Sequence, residues 1–259
     1  MTQQTETKVA PKVAPKVAPK VAIVTGASRG LGAAIAERLA KDGMTVIVNY
    51  SGNAAAAEAL VETIEKAGGQ ARAHQADVSD PAAVARMFEA AETAFGGVDV
   101  LVNNAGIMKL GSVAESDDAL FDSQIAVNLK GSFNTLREAS RRIRSGGRIV
   151  NLSSSVVGLL APGYAVYAAT KAGVEAMTHI LSKEMRGRNI TVNAVAPGPT
   201  GTQLFFEGKP QAVIDHLTNL SPLQRLGTPE DIAGAVSFLA GPDGSWINGQ
   251  VLRANGGAI

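Results

Sequence analysis

The sequence predicts a doubly wound parallel α/β sheet, a single domain with helices on both faces. Three observations point there. Short runs of apolar and β-branched residues alternate with stretches that carry apolar residues at helical spacing. Most of the strand runs are strongly apolar, as strands covered on both faces are. The first run leads straight into a glycine-rich turn, Thr25-Gly26-Ala27-Ser28-Arg29-Gly30-Leu31-Gly32, at the head of the first helical stretch. Sheets of this class bind ligands at the carboxyl ends of their strands.

The elements follow in order. Val21–Val24 is the first strand, and Leu31–Lys41 a helix that Asp42-Gly43 stops. Thr45–Val48 is a second strand, and Ala54–Lys66 a helix closed by Gly68-Gly69. Ala71–Gln75 is the third strand. Ser79-Asp80-Pro81 opens a helix to about Phe95, with proline in its first turn. Val98–Val102 is the fourth strand, followed by one long helix over Asp118–Arg144. Arg148–Leu152, the helix Tyr164–Met185 and the strand Ile190–Val195 come next. After a loop and further helices, Val251–Arg253 ends the sheet. No linker interrupts residues 21–259. Ahead of them, Lys-Val-Ala-Pro occurs three times without interruption, from Lys8 to Pro19. Proline at every fourth position removes helical hydrogen bonds, so residues 1–19 are expected to be a disordered, weakly basic tail.

Composition narrows the function. Of 259 residues, 46% are apolar, enough for a large core. The 24 basic and 23 acidic residues nearly balance, which argues against a nucleic-acid surface. The absence of cysteine excludes disulfides and thiolate metal sites, and His74, His179 and His216 lack ligand spacing, so no metal is expected. No apolar run approaches the roughly 18 residues of a membrane span, and no secretory apolar core is legible, so a cytoplasmic protein is expected.

Two elements carry chemistry. In the glycine turn, side chains at Gly26, Gly30 and Gly32 would keep the backbone from a pyrophosphate, which the free N–H groups of a helix N-terminus attract. After the second strand no acid stands ready for a ribose 2′-hydroxyl; the sequence there reads Asn49-Tyr50-Ser51. Arg29 in the turn, with Asn and Ser donors nearby, suits a 2′-phosphate, so NADP is expected over NAD. Asp77 is placed either to accept from the adenine amino group or to cap the helix at Pro81. Asn103-Asn104-Ala105-Gly106 either lies along the adenosine ribose or forms a tight turn. The second element is Tyr167 and Lys171, four apart and so on one helical face. An ammonium beside a phenol favours the phenolate and lowers its pKa toward neutrality, which suits proton exchange with a carbonyl or alcohol.

In this combination the chain resembles the single-domain short-chain dehydrogenase/reductase family from about Val21 onward. The resemblance rests on Thr25-Gly26-X-X-X-Gly30-X-Gly32, Asp77-Val78, Asn103-Asn104-Ala105-Gly106, Asn128, a serine ahead of the tyrosine, Tyr167-X-X-X-Lys171 and Pro197-Gly198. It implies a Rossmann-type fold of seven strands and a homotetramer, or the smaller homodimer. It implies that Tyr167 is the acid/base, that Lys171 tunes it and bonds the nicotinamide ribose, and that Asn128 holds a water of a proton relay. The serine that bonds the substrate oxygen is Ser153, Ser154 or Ser155. A usual family spacing of thirteen before Tyr167 selects Ser154, while the following Val156-Val157-Gly158 favours Ser155; Ser154 is chosen. Pro197, Gly198 and Thr202 would contact the nicotinamide end. Family enoyl reductases space tyrosine and lysine seven apart, so a spacing of four implies carbonyl reduction rather than C=C reduction. Asn255 departs from a common family aspartate, and the repeat tail is not a family feature.

The expected activity is NADPH-dependent reduction of a small-molecule ketone, aldehyde or 3-oxoacyl group to an alcohol. The alternative is an NADP(H)-sensing protein without turnover. Gln203–Asn219, with Leu204-Phe205-Phe206 and a helix near Pro210–Leu220, is the expected lid.

Overall fold

A strand buried on both faces needs apolar residues at both parities, and the first strand meets that demand. Val21 and Ile23 pack on one side of the sheet, Ala22 and Val24 on the other. The computed structural model describes residues 19–207 and 209–259; the predicted tail, Pro19 apart, lies outside the described residues. In chain order the elements are β1 (Val21–Val24), α1 (Gly30–Lys41), β2 (Thr45–Tyr50), α2 (Ala54–Lys66), β3 (Gln70–Gln75), α3 (Pro81–Phe95), β4 (Val98–Asn103), α4 (Asp118–Gln124), a π-helical segment (Ile125–Lys130), α5 (Gly131–Arg142) and β5 (Ile143–Leu152). Then come α6 (Val156–Leu159), α7 (Ala165–Glu184), β6 (Thr191–Pro197), α8 (Gln203–Phe206), α9 (Gln211–Asn219), α10 (Pro229–Ala240) and β7 (Val251–Ala254).

The seven strands form one parallel sheet in the order β3-β2-β1-β4-β5-β6-β7. One core joins the sheet to α1, α2 and α10 through Ile35, Leu39, Leu60, Ile64, Ile232 and Leu239. The other joins it to α3, α5 and α7 through Met87, Phe88, Leu136 and Leu181. Fully burying side chains of this size stabilises by about 1.5–3 kcal/mol each, and Leu39, Phe88 and Ile232 are completely covered. The strand order reverses between β1 and β4, so their carboxyl ends open a crevice there.

The long helix expected over Asp118–Arg144 is broken twice. Its middle, Ile125–Lys130, is π-helical, a distortion that concentrates at functional sites. Its end is strand: Ile143 turns extended, pairs with Val98 and is buried, so Ile143–Gly147 belong to β5. The periodicity of this stretch read as helix, but burial of Ile143 against β4 decided it. A register shift between Val98 and Val100 accompanies the change. It places Asp99 to accept from the Val21 N–H at 2.8 Å and from Arg144 at 3.0 Å.

Candidate active site

The glycine turn is set by packing as much as by any ligand. A Cβ at Gly26 would stand 2.9 Å from Ala105 Cα, and one at Gly32 would stand 2.6 Å from Asn104 Nδ2. Both glycines thus let the turn press against Asn104-Ala105, which follows β4. Thr25 locks the two together. Its Oγ1 accepts from the N–H groups of Asn104 (2.9 Å) and Ala105 (3.0 Å), while Asn104 Nδ2 donates to the carbonyls of Thr25 and Gly26. Gly30 differs: its φ is +56°, its surroundings are open, and the nearest atom a Cβ would meet is Thr202 Cγ2 at 3.9 Å. Helix α1 begins there with no side-chain cap and no acid in its first turn. Its leading N–H groups are therefore available to an anion, and the turn fits a pyrophosphate. Ser28, Arg29 and Leu31 border the same opening. Arg29 is exposed, with extended backbone, and has no side-chain partner among the described residues.

The second strand offers less than its sequence promised. Asn49 is 1% exposed. Its Oδ1 accepts from the Gly26 N–H (3.1 Å), and its Nδ2 donates to the Ala76 carbonyl (3.0 Å). The side chain is spent on tying the glycine turn to β2 and β3, so it is no donor for a 2′-phosphate. Tyr50 is part-buried and Ser51 exposed beyond it. Asp77 does not cap α3. Asp80 does, accepting from the Ala82 N–H, whereas Asp77 Oδ1 holds Ser79 in a local turn and the residue stays exposed. Val78 is buried against Gly131, and Asn134 holds its carbonyl at 2.9 Å, so only its N–H can face outward.

The reacting groups lie beyond β4 and β5. Gly106 is the hinge between the halves of the site: a Cβ there would stand 3.3 Å from Asn128 Oδ1 and 3.7 Å from Lys171 Nζ. Asn128, in the π-helical segment and fully buried, donates Nδ2 to the Ile107 carbonyl and accepts from the Ile107 N–H, both at 2.8 Å. Tyr167 and Lys171 follow on α7, with Nζ 5.7 Å from the ring centroid and donating to the Leu152 carbonyl at 2.7 Å.

The three serines point three ways. Ser153 Oγ donates to Glu175 at 2.6 Å and Ser155 Oγ to the Ala196 carbonyl at 3.2 Å. The Ser154 hydroxyl alone lies near the Tyr167 phenol, close enough to favour its ionised form. The expected depression of the tyrosine pKa is nonetheless absent. Loss of solvation pushes the Tyr167 phenol up to about 12, with Ser154 opposing and Tyr164 adding to the rise. Desolvation likewise pushes Lys171 down to about 8. The ammonium is committed to the Leu152 carbonyl and sits over the ring face, so burial outweighs its pull on the phenolic oxygen.

Pro197, Gly198 and Thr202 close the far side. The Pro197 carbonyl accepts from the Ser155 N–H, and a Cβ at Gly198 would strike Asn255. Thr202 caps α8 by accepting from the Phe205 N–H at 3.2 Å. Its Cγ2 is the nearest atom a Cβ at Gly30 would meet, which sets the residue just ahead of the expected lid beside the glycine turn. Helix α9 of that lid buries no residue. The sequence reading passed over Thr25, Glu175 and Tyr164. Thr25 stood inside a quoted motif, but nothing in the chain signals that Ser153 pairs with a glutamate one turn past Lys171.

A family model described as enoyl-(acyl carrier protein) reductase matches residues 26–258. A Picea abies protein named short-chain type dehydrogenase/reductase is 45% identical over 92% of this chain and 91% of its own. An Arabidopsis thaliana NADPH-dependent aldehyde reductase-like protein, chloroplastic, is 44% identical over 92% and 93%. Among solved structures, a short chain dehydrogenase from Burkholderia cenocepacia J2315 in complex with NADP is 40% identical, with TM-score 0.87 over 92% of this chain and 97% of that one.

Proposed function

The chain belongs to the short-chain dehydrogenase/reductase family, and on that premise we propose that it reduces a carbonyl to an alcohol with NADPH, Tyr167 serving as general acid. The observation that carries this reading is a capless helix N-terminus at a glycine turn packed on Ala105, next to Gly106, which lies against buried Lys171 with part-buried Tyr167 and Ser154 beside it. The spacing of four between Tyr167 and Lys171 favours a carbonyl over a C=C bond, and relatives named as NADPH-dependent aldehyde reductase and ketoreductase agree.

When bound, the nicotinamide supplies the hydride. The glycine turn would hold the cofactor, with Arg29 to take the 2′-phosphate and the first N–H groups of α1 the pyrophosphate. Ser154 and Tyr167 donate hydrogen bonds to the carbonyl oxygen as negative charge develops on it. Tyr167 then gives up its proton. A phenol held at about 12 is a weak free acid, yet its proton is well matched to an alkoxide. Lys171 stands on the same helical face to restore that proton, and Asn128 is the residue we assign to the water of the relay. Thr202 and the lid exclude solvent.

Tyr167→Phe tests the assignment. Turnover is expected to fall by about a hundred- to ten-thousand-fold with NADPH affinity unchanged. A variant that keeps half its activity removes Tyr167 from the mechanism. Ser154→Ala is expected to fall well below Ser153→Ala and Ser155→Ala. We also propose assembly into a homotetramer; sedimentation should report four chains of 26.6 kDa, and a monomer would contradict it.

A further inference from the structure

Gln124, the last residue of α4, is fully buried, and no step above uses it. Its Nε2 donates to the Lys109 carbonyl (3.1 Å) and its Oε1 accepts from the Lys109 N–H (3.2 Å). Asn128 treats Ile107 in the same way. A side-chain amide bonded to both backbone groups of one residue reproduces the hydrogen-bonded pair of a β-ladder. One amide ends α4 and the other lies in the π-helical segment, yet both grip the same loop, at residues two apart. Residues two apart turn the same edge to a neighbour when the chain between them runs extended.

The consequence falls on Met108. Alternate residues of an extended chain turn their N–H and C=O to opposite edges. With Ile107 and Lys109 turned to the helix, those of Met108 face away from it. Among the described residues neither has a hydrogen-bond partner, and Met108 is only part-buried. The loop is anchored beside the reacting groups at both ends. Gly106 lies against Lys171 and Asn128, and the Gly111 N–H donates to the Gly163 carbonyl at 3.0 Å, just ahead of Tyr164. An open peptide edge beside a proton donor can hold a second polar group of the substrate.

We propose that Gln124 is a positioning and specificity-determining residue: by gripping Lys109 it turns the Met108 N–H into the cleft, which selects carbonyl substrates with a second oxygen acceptor next to the reacting carbonyl. The inference rests on the carbonyl-reduction reading above. It explains why an amide, and not an apolar side chain, fills a fully covered position of α4.

The test compares a vicinal diketone with the monoketone of the same carbon number, in the full-length protein and in Gln124→Met. The variant keeps the volume and loses both hydrogen bonds. KM for the diketone is expected to rise about two- to tenfold, the worth of one neutral hydrogen bond. The diketone kcat, both monoketone parameters and NADPH affinity are expected to hold. In amide exchange without substrate, the Lys109 N–H is expected to lose protection while the Ile107 N–H, held by Asn128, keeps it. Should Gln124→Met fail to fold, Lys109→Pro removes the donor from the exposed loop side and is expected to give the same KM change. An unchanged diketone-to-monoketone ratio, or equal changes for both ketones, overturns the inference alone. A wild-type protein that reduces neither ketone overturns the carbonyl-reduction reading and this inference with it.

Discussion

At the scale of single residues, the charge states of Tyr167 and Lys171 decide the pH dependence. Below about 8 the pair is phenol plus ammonium, and above it one proton has left. Carbonyl reduction draws a proton from this pair. Its kcat/KM is therefore expected to be level on the acid side and to fall as pH rises through about 8, while alcohol oxidation rises over the same interval. In Lys171→Met the group that titrates there is gone, so the limb near 8 should vanish and turnover should drop. An unshifted limb in that variant would place the titration elsewhere. Arg29 gives a second residue-scale prediction. With Asn49 committed inward, the guanidinium is left as the charged donor for a 2′-phosphate. Arg29→Ala is expected to weaken NADPH by about ten- to a hundredfold, the worth of a charged hydrogen bond of roughly 1.5–3 kcal/mol. NADH binding should hardly change; titration of both cofactors checks this, and equal losses would contradict it. Residue identities such as Tyr167, Lys171 and the glycines were legible because each is a type that few environments demand. The direction of the Tyr167 pKa shift was not, because burial and the orientation of Nζ are properties of the packed site.

At the scale of elements, the site depends on how β1 and β4 are joined beyond their carboxyl ends. Thr25 does that with one buried hydroxyl. Thr25→Val leaves the part-buried N–H groups of Asn104 and Ala105 without their acceptor, at a combined cost of about 1–3 kcal/mol. A thermal melt should therefore show a Tm several degrees lower, and Thr25→Ser, which keeps the oxygen, should recover most of it. An unchanged Tm in the valine variant would mean that water takes over the acceptor. The central strands β1, β2 and β4 were the most legible elements, since burial on both faces writes itself as continuous apolar runs. The π-helical break at Ile125–Lys130 and the strand start at Ile143 were not. Both arise from contacts distant in sequence: Asn128 with Ile107, and Ile143 with Val98. Helix periodicity ran on through both because α5 and the start of β5 present apolar residues to the same core.

At the scale of the whole molecule, one sheet brings together residues spread from Thr25 to Thr202, and the reversal between β1 and β4 fixes where they meet. The seven-strand parallel sheet followed from the resemblance and from the run of alternating elements, and the structure has it; the order of its strands is set by the packing. The approach of Thr202 to Gly30 was not legible: it emerges only when β6 is seated next to β5. The central claim is that this assembly carries hydride from NADPH to a carbonyl carbon. Incubation with NADPH deuterated at C4, a panel of ketones and aldehydes and one conjugated enone tests it most directly, with mass spectrometry of the products. The account predicts alcohols that carry one deuterium on the former carbonyl carbon, formed by the wild type and lost in Tyr167→Phe. Deuterium found only on the saturated carbon of the former C=C bond, or in no product at all, would contradict it.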